Sequence, residues 1–115
     1  TGMQLSNTDN LAGQRIVRHV GLVSGNRVAS RMGNEAVKAA LKRLEKGQDP
    51  TVLTDWLAEA RAVAVNRLSQ GAESLGANAV LNVRFDLALL SSTAVEVFVY
   101  GTAAVVEPAE PPEDA

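Results

Sequence analysis

Apolar and polar residues alternate most regularly between Ala79 and Leu90, where Leu81, Val83, Phe85, Leu87 and Leu89 hold the odd positions. Asn82, Arg84 and Asp86 fall between them. Side chains of a strand point to alternate faces, so this pattern predicts a strand with its odd face on a core. Ser91-Ser92-Thr93 ends the run, and a second strand is expected from Ala94 to Val106. Its odd face, with Val95, Val97, Val99 and Val105, matches the first strand. Its even face carries Glu96 but also Phe98, Tyr100 and Val106, too apolar a set for an ordinary solvent face. That second face is expected to be buried against something outside the chain's own core.

The upstream half predicts two helices after one or two strands. Met3 to Ser6 has the pattern of a short strand, ended by the turn residues Asn7-Thr8-Asp9-Asn10. Arg15 to Val23 predicts a longer strand, with Ile16, Val20 and Leu22 on one face and Val17 and Val23 on the other. Either both faces are covered or a bulge near Gly21 shifts the register. Ser24-Gly25-Asn26 is expected to break this strand, with Gly25 in a backbone conformation that other residues avoid.

From Asn34 to Glu45, Val37, Ala40, Leu41 and Leu44 form one helical stripe, with Asn34 as N-cap and Gly47 just past the end. A second helix is expected from Asp49-Pro50, a cap followed by proline at the first helical position, to about Leu75. Its stripe is Leu53, Leu57, Ala60, Ala64, Leu68, Ala72 and Leu75, and Gly76 stops it. Gly71 inside this helix costs about 1 kcal/mol against alanine; close approach of helix to sheet would account for it. The order predicts an α+β, two-layer domain, a mostly antiparallel sheet with one long and one shorter helix on one face.

Length adds that one domain is present, since 115 residues are too few for two. Residues 3–107 form it; Thr1-Gly2 read as a non-native addition before Met3, and 108–115 as a disordered acidic, proline-rich tail. Aromatic residues are only 3% of the chain, which argues against an aromatic-lined pocket. The net charge of −2 supplies no concentrated basic field for nucleic acid. No apolar run approaches the roughly 20 residues that span a bilayer, so no membrane partner is expected. With no cysteine, disulfides and thiolate chemistry are excluded, and a cytoplasmic location is the default.

Four stretches in order carry a family resemblance: Met3-Gln-Leu-Ser-Asn-Thr, Gly21-Leu-Val-Ser-Gly-Asn-Arg-Val28, Ser74-Leu-Gly-Ala-Asn-Ala-Val80 and Gly101-Thr-Ala-Ala-Val-Val106. Their order and spacing resemble the bacterial YbjQ-like family, whose name refers to heavy-metal binding, over roughly Met3 to Glu107. The resemblance implies a fold similar to dodecin subunits, assembled as a ring, typically a pentamer, with no established reaction. The sequence departs from the family pattern at Asn26, where glutamate is frequent. It departs again in the first helix, where Met32, Val37 and Leu41 replace aromatic residues, and in the Lys46-Gly47-Gln48-Asp49-Pro50 connection.

Candidate chemistry is thin. Soft metals prefer sulfur and imidazole ligands, and the chain offers only His19, Met3 and Met32. A metal ion is thus a possible cofactor unsupported by ligand residues, with a site only where a ring gathers several His19, Asp86 or Glu96 side chains. Ser24 beside Gly25 lacks the base and oxyanion hole that a nucleophile needs. Asp86 and Glu96 are expected to pair with Arg84 or water. Trp56 lies off the long helix's stripe, so it is either semi-exposed or in a subunit contact, the second favoured because tryptophan is enriched at interfaces. The expectation is a non-enzymatic homo-oligomer, in which Trp56, Phe98 and Tyr100 form the interface. Any ligand would sit near His19, Ser24, Gly25, Asp86 and Glu96. A metal-binding protein with a site between subunits is the alternative.

Overall fold

The computed structural model describes residues 2–110. The elements are β1 (Gln4–Leu5), β2 (Gln14–Ser30), α1 (Glu35–Glu45), α2 (Thr51–Ser74), β3 (Ala79–Leu89) and β4 (Ala94–Pro108). They form one four-stranded sheet in the order β1-β3-β4-β2. The sheet is mixed rather than mostly antiparallel: β1 runs parallel to β3, while β4 is antiparallel to both of its neighbours.

The helix ends follow their sequence signals closely. Asn34 caps α1 by accepting from the Val37 N–H at 3.1 Å. Both helices stop in the same way, with Gly47 and Gly76 at positive φ. Their N–H groups reach Leu44 and Glu73, and those of Gln48 and Ala77 reach Arg43 and Ala72. The expected cap at Asp49 does not form; Pro50 itself occupies the cap position, with no side-chain bond. Asn78 then uses its amide to hold both the N–H and the C=O of Val106 at 2.8 Å, fixing the entry to β3.

Helix α2 lies on one sheet face with Ala60, Ala64, Leu68 and Ala72 buried against Val23, Ala29, Val80, Val97, Val99 and Ala103. Small residues let the backbones approach closely. A Cβ on Gly25 would stand 2.2 Å from the Ala64 carbonyl oxygen and 2.5 Å from the Leu68 nitrogen. Gly71 meets Val23 from the helix side, where a Cβ would stand 3.0 Å from a methyl carbon. Gly25 is therefore required by contact and not by φ, which corrects the expected conformation. The expected turn at Ser24-Gly25-Asn26 is corrected with it, since β2 continues through to Ser30.

Two other expectations about faces change. Of the two alternatives for β2, the bulge near Gly21 is the one observed, between His19 and Gly21, and a second, unexpected one lies between Ile16 and Arg18. A further irregularity between Leu81 and Arg84, with Asn82 at φ 53°, reverses the parity of β3. Leu81, opposite Thr102, thus faces away from the helices, whereas Phe85 and Leu87, opposite Val99 and Val97, face the helix side. Helix α1 packs on α2 instead of the sheet, so Leu44 stays exposed while Val37 and Ala40 are buried. Strand β4 runs through Pro108, and the Ala109 N–H donates to Gly13 at 2.9 Å. The expected tail is thus strand at its start, and 111–115 lie outside the described residues.

Candidate functional site

Strand parity decides what the face opposite α2 presents. On β4 it carries Glu96, Phe98, Tyr100 and Thr102; on β2, Leu22, Ser24, Asn26 and Val28; on β3, Arg84, Asp86 and Ala88. The lower end of this face is closed, with Leu81, Ala104 and Val106 all buried. The upper part is open. Phe98 and Tyr100 stack with ring centroids 5.5 Å apart, and with Leu22 and Ser24 they line a shallow depression of about 340 Å3. Leu22 is 86% exposed and Tyr100 41%, so this apolar cluster has no cover within the protomer.

The polar groups on the face are engaged locally. Asn26 donates to a Glu96 carboxylate oxygen at 2.9 Å across the β2–β4 pair. Asp86 accepts the N–H of its own neighbour Leu87 at 2.8 Å. Arg84, expected as a partner of these carboxylates, instead donates to the carbonyls of Asn7 and Val83. Asp86 lies opposite Phe98 and Glu96 opposite Ala88, so the two carboxylates are diagonal neighbours, not a directly facing pair.

The residues singled out from sequence divide into three places. Ser24, Asp86, Glu96, Phe98 and Tyr100 share the open face. His19, opposite Ala104, is on the same face beyond the bulge and toward its closed end. Gly25 points at α2, and Trp56 is half-buried on α2, packed against the core cluster. Sequence reasoning missed Asn26, which holds Glu96. It also missed Arg67, which reaches from α2 to the Asn26 carbonyl at 2.8 Å. Strand parity was the signal for Asn26, cut by the expected break at Ser24; Arg67, on a helix, had none.

The donor set does not fit a heavy-metal site within one protomer. Among the described residues no three His, Asp or Glu side chains converge, and the chain has no cysteine. Nor, among the described residues, is any helix long and apolar enough to cross a membrane.

These features define a class: small α+β proteins with one helix-covered and one open sheet face. A family model described as "Putative heavy-metal-binding" matches residues 3–107, and the chain belongs to that family. Similar proteins include a UPF0145 protein of Hahella chejuensis, 40% identical over 105 residues, which are 91% of this chain and 100% of the relative. A UPF0145 protein of Thermococcus kodakarensis is 38% identical over 109 residues, 95% of this chain and 96% of the relative. Among solved structures, a Pediococcus pentosaceus protein of unknown function from the DUF74 family superposes with a TM-score of 0.59 at 14% identity. That match covers 93% of this chain and 100% of the other, and it establishes likeness of fold.

Proposed function

We propose that the protein works as a non-enzymatic homo-oligomer, a ring whose subunits bury the open sheet face, with room for a small ligand at the subunit boundary or on the axis. The cluster of exposed Leu22 and Tyr100 with half-buried Phe98 carries this reading. Three large apolar side chains on one sheet face lose the free energy of burial unless something covers them. The protomer's dimensions support it. Its extents are 62 × 29 × 21 Å and its radius of gyration 18.3 Å, where a compact chain of this length has about 13 Å. Its accessible surface is 7499 Å2, against about 6,000 Å2 for a compact monomer of this mass. Five copies is the number that the family resemblance implies, and a cytoplasmic location accords with the cysteine-free composition.

The carboxylates of Asp86 and Glu96, with Ser24 and Asn26, are the polar groups such an assembly would gather beside the aromatic pair. A small polar ligand suits them better than a soft metal, whose preferred donors the chain lacks. Phe98→Glu and Tyr100→Glu test the reading by sedimentation velocity. An uncompensated carboxylate in a buried face is costly, so both variants should sediment as smaller species than the parent. If both keep the parent's mass and melting temperature, the face is not the interface.

A further inference from the structure

Charge is spread unevenly along the chain, and the fold gathers the imbalance at one end. Arg27, Arg31, Lys38, Lys42, Arg43 and Lys46, six of the 11 basic residues, fall within residues 27–46, where Glu35 and Glu45 are the only carboxylates. That segment carries +4 in a chain whose net charge is −2. Strand β2 spans roughly 56 Å at about 3.3 Å per residue, so the 62 Å length of the molecule follows the strands. The end of β2, the start of α1 and the turn between β3 and β4 lie together at one tip. There the Arg31 N–H donates to the Thr93 carbonyl at 2.8 Å. Arg31, Met32 and Thr93 share a groove of about 560 Å3 with Lys38, Leu41 and Lys42 of α1.

The same tip exposes apolar side chains that nothing in the protomer covers. Leu89 is 79%, Met32 67%, Leu90 54% and Leu44 49% exposed. The Leu90 N–H bonds to the Ala94 carbonyl, and Ala94 in turn pairs with Ser30 of β2. The leucines that end β3 and Met32 therefore stand about two strand spacings, roughly 10 Å, apart. Helix α1 packs on α2 and buries Val37 and Ala40, which leaves Lys42, Arg43 and Lys46 exposed on its outer side. Among the described residues these three enter no ion pair, while Glu35 is turned onto Lys38 at 3.5 Å.

We propose that this tip is a peripheral membrane-binding surface. Its cations meet the phosphates of anionic phospholipids, while Met32, Leu89 and Leu90 enter the boundary between headgroups and acyl chains. A chain with no spanning helix can rest on a bilayer in this way, and binding then grows with the apolar area buried and with charge. The chemistry of the tip selects a bilayer over other polyanions. Nucleic acid would engage the cations through its phosphates and leave the leucines in water. An acidic peptide lying in the groove would meet Glu35 and Glu45, which also line it. A flat anionic surface laid across the tip meets the outer cations and the leucines together. The tip lies roughly 20 Å along β4 from Tyr100, so it is a separate surface from the aromatic cluster, and the two can be occupied at once.

Co-sedimentation with vesicles tests the proposal. The parent should bind vesicles of phosphatidylglycerol mixed with phosphatidylcholine, should ignore phosphatidylcholine alone, and should be released by raised salt. Each basic side chain near an anionic surface contributes about fivefold in affinity, so Lys42→Gln, Arg43→Gln and Lys46→Gln combined should weaken binding about a hundredfold. Leu89→Ser with Leu90→Ser should weaken it about tenfold. All five side chains are exposed, and unchanged melting temperatures would show the fold intact. No vesicle binding by the parent, equal binding to phosphatidylcholine alone, or a charge variant that binds like the parent overturns the proposal. Full binding by the leucine variant, with fluorescence anisotropy showing that a polyglutamate peptide or duplex DNA binds the parent as tightly, overturns it too and makes the tip a site for a soluble polyanion.

Discussion

Replacing Gly25 by alanine probes the contact that sets the spacing between the two layers. The added methyl would lie 2.2 Å from the Ala64 carbonyl oxygen and 2.5 Å from the Leu68 nitrogen. Both are backbone atoms in the middle of α2, and neither can swing aside like a side-chain end. To restore an ordinary contact the helix must lift by about 1 Å, and a gap of that size forfeits a quarter to a half of each dispersion well. Leu68, wholly buried, and Val23, Val97 and Val99 beneath the helix all lose contact at once. The expected cost is about 3 kcal/mol, the upper end for overpacking. Gly71→Ala is the control. Its methyl meets only a side-chain carbon of Val23 at 3.0 Å, and the gain in helix propensity is about 1 kcal/mol, so the two nearly cancel. Urea unfolding at one fixed protein concentration reads both. Equal midpoints for Gly25→Ala and Gly71→Ala would refute the close-contact account of Gly25.

Asn78→Ala should destabilise by about 2 kcal/mol, because both backbone groups of Val106 lose their partner; thermal melting reads this. Asn34→Ala removes the cap on Val37 and should cost about 1 kcal/mol, with Asn34→Asp restoring most of it. Dialysis against a chelator should leave mass and melting temperature unchanged, since the donor set offers no metal site within a protomer. A fall in either would require ligands assembled from several copies.

Three of the four helix ends and the strand identities were legible because each rests on local chemistry: Asn34, Gly47 and Gly76 act within their own turns, whereas the Asp49 cap expected for α2 does not form. The odd–even split of β4 was legible for the same reason, and it placed Val97 and Val99 under the helix and Phe98 and Tyr100 on the open face. What failed was continuity. Ser24-Gly25-Asn26 has turn composition, yet its glycine serves a helix 39 residues downstream at Ala64, a relation no local pattern encodes. The irregularity at Asn82 likewise shifts one residue and so exchanges the faces of everything after it. The candidate site was half legible. The aromatic pair and the carboxylates were found by alternation, while Arg67 and Asn26 meet only because α2 crosses β2.

The account turns on whether the open sheet face is covered by further copies of the chain, and native mass spectrometry of protein purified without added metal or chelator tests that most directly. The predicted result is a single sharp multimer, with any added mass giving the class of ligand held between subunits. A clean single-chain mass would contradict the account, and with it the role given to Leu22, Phe98 and Tyr100.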